Sequence, residues 1–82
     1  MPTVLSLYGL RVVVYPNDHR PAHVHVQSPD CEAVFYLNCP QGPSTLREND
    51  GFTRKELNRI GVHLDAQAAY LCQRWKELHG YF

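Results

Sequence analysis

The chain predicts an α+β domain: a small antiparallel sheet of three to four strands over residues ~3–37, packed by a C-terminal helix or broken helix pair over residues ~54–79. Three observations carry this. Apolar residues recur every second position in the first half and every third or fourth in the second. Turn signals rich in proline, asparagine and aspartate cut the first half into short β-branched runs. The strand-like segments all precede the helical ones instead of alternating with them, which disfavours a parallel βαβ layout.

Residues 3–7 (T-V-L-S-L) make a short edge strand before Gly9. Residues 10–15 (L-R-V-V-V-Y) form a second strand, ended by Pro16 and a Pro-Asn-Asp turn. Residues 22–27 alternate, with Val24 and Val26 on one side and His23 and His25 on the other. After the Pro29-Asp30 turn, residues 33–37 (A-V-F-Y-L) supply a third clear strand. An even-length turn would pair Gln27 with Glu32, His25 with Val34 and His23 with Tyr36. Glu32 would then share the histidine face, leaving Val24, Val26, Ala33, Phe35 and Leu37 for the helix. An odd-length turn would remove Glu32 from that face. Residues 38–50 read mainly as loop, with Leu46 tucked beneath it.

Thr53-x-x-Glu56 is a capping box, in which each side chain satisfies the other residue's orphan amide at a helix start. Leu57, Ile60, Leu64, Ala68, Leu71, Trp75 and Leu78 then form one apolar stripe. Gly61 and Val62 weaken its middle and Asp65 could cap a restart, so one long helix and two in line are both open. Gly80 suits a C-terminal cap.

At 82 residues, the chain fits one small domain. Apolar residues at 44% and charged residues at 20% suit a soluble globular protein. No apolar run is long enough to span a membrane, and the N-terminus lacks the features of a signal peptide. Eight basic and eight acidic residues cancel, which argues against broad phosphate-backbone binding. Cys31, Cys39 and Cys72 are odd in number and contain no C-x-x-C, so reduced thiols in a cytoplasmic protein are expected.

Residues 17–26 (N-D-H-R-P-A-H-V-H-V) hold three of the five histidines. Histidine binds metals and moves protons near neutral pH, so the cluster is the candidate site. As a metal site it offers His19, His23 and His25, with Asp18 or Glu32, to zinc or another divalent ion. As an acid–base site on RNA or another phosphoester, it would draw on Arg20 and Arg11. As a recognition face, His23, His25, Glu32, Tyr36 and Arg11, with Tyr15, would contact a protein or stack on bases. As a structural element, Pro21 orders the start of the strand, His19 or His23 bonds a carbonyl, and Asp18 holds the turn. His63 and His79 are expected on the helix surface.

The stretch N-D-H-R-P-A-H-V-H-V resembles the P-P-H-[FI]-H-[AV] signature of the small bacterial proteins grouped as domain of unknown function 4160. Pro21, His23 and His25 match, and Ala22 replaces the second proline. The resemblance continues in M-P-T-V-L, in Glu32-Ala33-Val34-Phe35, in residues 46–52 (L-R-E-N-D-G-F), in Glu56-Leu57-Asn58-Arg59-Ile60, and in Trp75-x-x-x-His79-Gly80. It implies a role in toxin–antitoxin or mobile-element gene pairs and brings no catalytic assignment. Pro21, His23, His25 and Glu32 carry over as signature residues, whereas His19 departs from the pattern, which has an acidic or polar residue nearby. The expected function is a cytoplasmic binding or regulatory module acting through its histidine-bearing sheet face. A protein partner ranks ahead of RNA, no membrane is involved, and a homodimer is open. The alternatives are a metal-dependent or histidine-based ribonuclease-like toxin and a phage-type inhibitor of a larger complex.

Overall fold

A computed structural model describes residues 3–40 and 42–80. Met1 and Pro2 of the M-P-T-V-L segment, and Gln41 of the loop, lie outside them. The α+β class is as expected, but the sheet has five strands instead of three or four. They are β1 (Thr3–Leu7), β2 (Leu10–Val13), β3 (His23–Gln27), β4 (Glu32–Tyr36) and β5 (Thr45–Asp50), all antiparallel and adjacent in chain order. Two helices follow, α1 (Arg54–Ala66) and α2 (Ala68–His79).

The β1–β2 hairpin closes on Tyr8 and Gly9, both at positive φ (29° and 89°), as the tight turns that suit strand twist require. The β3–β4 turn is even in length. Gln27 faces Glu32, His25 faces Val34, and His23 faces Tyr36, the expected register. Ser28 shapes this turn: its Oγ accepts from the Cys31 amide at 2.9 Å, and its amide donates to the Cys31 carbonyl at 2.9 Å.

The fifth strand overturns the reading of residues 38–50 as loop. Every residue of β5 is exposed, so no alternation marks it, and backbone pairing to β4 alone makes it a strand. Leu46 is correspondingly exposed, not tucked beneath a loop. The register shifts between Val34 and Phe35, which face Glu48 and Leu46, and this leaves Arg47 as the bulged residue.

Thr53 and Glu56 form the full capping box at the start of α1, and Gly80 caps α2 at φ 80°. The break falls at Gln67, six residues beyond Gly61, which stays inside α1 [~P039]. The apolar stripe runs across it: Ile60, Leu64, Leu71 and Trp75 are buried in one core with Val12, Val14, Val24, Val26, Ala33, Phe35 and Leu37, and Ala68 is buried too. Leu57 is partly buried and Leu78 is exposed.

Cys39 and Cys72 are joined in a disulfide, so reduced thiols are found only at Cys31. The segment after β4 folds back over α2 and brings the two Cα atoms to 5.7 Å, within bridging range. Sequence spacing could not show that approach. No helix among the described residues is long and apolar enough to cross a membrane.

Candidate functional site

Strand alternation puts His23 and His25 on the sheet face away from the main core, but the two rings are not equally open. His23 is only 4% exposed, while His25 is half-buried. The β2–β3 connection causes the difference. It leaves the sheet after Val13, two residues short of the strand end expected from sequence, and turns back, and Asp18 holds the turn. The Asp18 amide donates to the Tyr15 carbonyl at 3.1 Å, and the Tyr15 amide donates to Asp18 Oδ2 at 3.1 Å. This reciprocal pair fixes the Asp18 carboxylate over both rings. Its Oδ2 lies 3.5 Å from His23 Nε2 and 3.4 Å from His25 Nε2.

Each ring is held from its other nitrogen. His23 Nδ1 is 2.8 Å from the Pro21 carbonyl oxygen, and His25 Nδ1 is 3.2 Å from Glu32 Oε2. Around them, Trp75 meets His23 in a tilted contact at 5.2 Å between ring centres, and Tyr15 meets His25 edge-on at 4.9 Å. Gln27 positions Tyr15 by donating to its hydroxyl at 2.9 Å, and Arg11 donates to Gln27 Oε1 at 3.1 Å. On its far side Trp75 stacks on His79 at 3.8 Å.

The cluster opens into a hollow of about 380 Å³, bordered also by Tyr36, Arg47 and Glu48. The Arg47 guanidinium sits over the Tyr36 ring, 5.7 Å from its centre, as a side chain re-aimed by the bulge. A larger groove of about 510 Å³ runs between β5 and α1. Among the described residues, the grouping of potential metal-ligating side chains, Asp18 with His23 and His25, lies at the smaller hollow.

Of the residues expected from sequence, His23, His25 and Glu32 come together. Tyr36 lines the same hollow, while Arg11 reaches the cluster only through Gln27 and Tyr15. His19 is exposed on the rim of the hollow, and Asp18, not His19, completes the close group with His23 and His25. Asp18 could have been favoured from the Pro-Asn-Asp turn, since aspartate in such turns folds back on its own backbone. Nothing in the sequence ties Trp75 to His23, because that contact joins residues far apart in the chain.

A family model described as Domain of unknown function (DUF4160) matches residues 9–76. No curated protein and no solved structure matches the chain.

Proposed function

On the premise that this chain belongs to the DUF4160 family, we propose that it is a small binding module that meets a protein partner at the histidine-bearing hollow. One observation carries the reading. The hollow lies beside β5, an edge strand whose every residue is exposed, so a recess and an unpaired backbone edge form a continuous surface. Its border mixes signs, with Asp18 and Glu48 beside Arg47 and the histidines. With a formal charge of zero for the whole chain, such a surface suits a protein better than RNA. The toxin–antitoxin or mobile-element setting and the cytoplasmic location belong to the same proposal. A phage-type inhibitor would use the same surface against a larger complex.

The test is co-purification of the tagged protein with the product of the neighbouring gene. The wild type should retain it stoichiometrically, and Tyr36→Ala with Arg47→Glu should lose it while keeping the native circular dichroism spectrum. Equal retention by the double variant would sink the proposal. Nuclease-sensitive nucleic acid in place of a protein would redirect it to RNA.

A further inference from the structure

We propose that Asp18, His23 and His25 bind one first-row divalent cation of the zinc type, through Asp18 Oδ2 and the Nε2 atoms of both rings. The ring protons decide which nitrogens are free to bind. A backbone carbonyl only accepts, so His23 Nδ1 carries the hydrogen that it shares with Pro21. The same holds for His25 Nδ1 against the Glu32 carboxylate. In the neutral rings both Nε2 atoms then present lone pairs, and both lie against a carboxylate oxygen. His25 Nε2 is buried and has no hydrogen-bond partner. Three electron-rich atoms thus face one small space, an arrangement that a cation stabilises.

The spacing fits such an ion. Zinc holds nitrogen and oxygen ligands at about 2.0–2.1 Å, so neighbouring ligands in a tetrahedral shell stand about 3.3–3.4 Å apart. The Asp18 oxygen lies 3.4 and 3.5 Å from the two ring nitrogens, and one ligand atom from each residue falls within 4.8 Å of the others. The supporting bonds also fit. Metal-binding histidines donate their second N–H to a backbone carbonyl or a carboxylate, as His23 and His25 do here. Two imidazoles and one carboxylate leave a fourth position open toward the hollow.

The inference deepens the reading of this hollow as a binding site, and it fails separately, since the metal titration contains no partner. Tag-free protein, stripped with chelator, is titrated with zinc in competition with a chromophoric chelator, and with cobalt(II) to read the coordination in its visible spectrum. One equivalent per chain and tetrahedral cobalt bands are expected. Asp18→Asn and His25→Ala should each weaken zinc binding about 100-fold, and Glu32→Gln about 10-fold. His19→Ala should leave it unchanged. Because His23 is buried, the deciding variants are those at Asp18 and His25, each checked for native circular dichroism. No saturable binding, or binding that these two variants retain in full, overturns the site.

Discussion

Gly51 sits at φ 102°, and a Cβ there would stand 2.8 Å from Cys31 Sγ. Gly51→Ala therefore carries both backbone strain and a clash, and should destabilise by more than about 1 kcal/mol in urea unfolding. Gly61 is the counter-case: a Cβ would meet nothing within 4 Å, and the residue lies inside α1. Gly61→Ala should stabilise by about 1 kcal/mol, the ordinary helix preference. Trp75 is fully buried between His23 and His79, so Trp75→Ala should cost about 3–5 kcal/mol and remove a wall of the histidine cluster. At this scale the sequence spoke clearly about His23 and His25, because a period of two is a local fact, whereas Glu32 hung on a turn length that the structure supplies. It was silent on the reach of Asp18 over both rings and on the Trp75 contact, which depend on a turn path and on helix docking.

Among the elements, α1 shows how a short motif sets an end. The Glu56 carboxylate accepts from the Thr53 amide at 2.8 Å and the Thr53 hydroxyl accepts from the Glu56 amide at 3.1 Å. The bond from the Thr53 backbone, then that from its side chain, holds the Glu56 carboxyl below its usual value of 4.5. A lowered folded value means that this contribution is present above that usual value and fades as pH falls through the folded one. Thr53→Ala should cost about 1 kcal/mol at neutral pH through the lost cap, with a smaller deficit at pH 3 [~P025]. The capping box was legible because it is a four-residue pattern. β5 was not, since an edge strand exposed at every residue carries no hydrophobic period. It carries the charged residues Arg47, Glu48 and Asp50, and charge on an edge strand disfavours edge-to-edge pairing. Arg47→Val with Glu48→Val should therefore raise self-association in sedimentation velocity.

For the whole molecule, the Cys39–Cys72 bridge ties the segment after β4 to α2 across a separation of 33 residues. Closing a loop of that length in the unfolded chain corresponds to about 3–4 kcal/mol. Replacing both cysteines by alanine should lower stability by that order, measured by urea unfolding beside the oxidised protein.

The sheet order carries a kinetic consequence. Each strand pairs with the strand next to it in the chain, so every step of sheet formation closes a short loop at small entropic cost. Asp18, His23, His25 and Glu32 all lie between residues 18 and 32, within the β2–β4 stretch. The polar members of the histidine cluster therefore come together through pairings local in the chain. The last helix adds a long-range wall of the cluster, by setting Trp75 against His23.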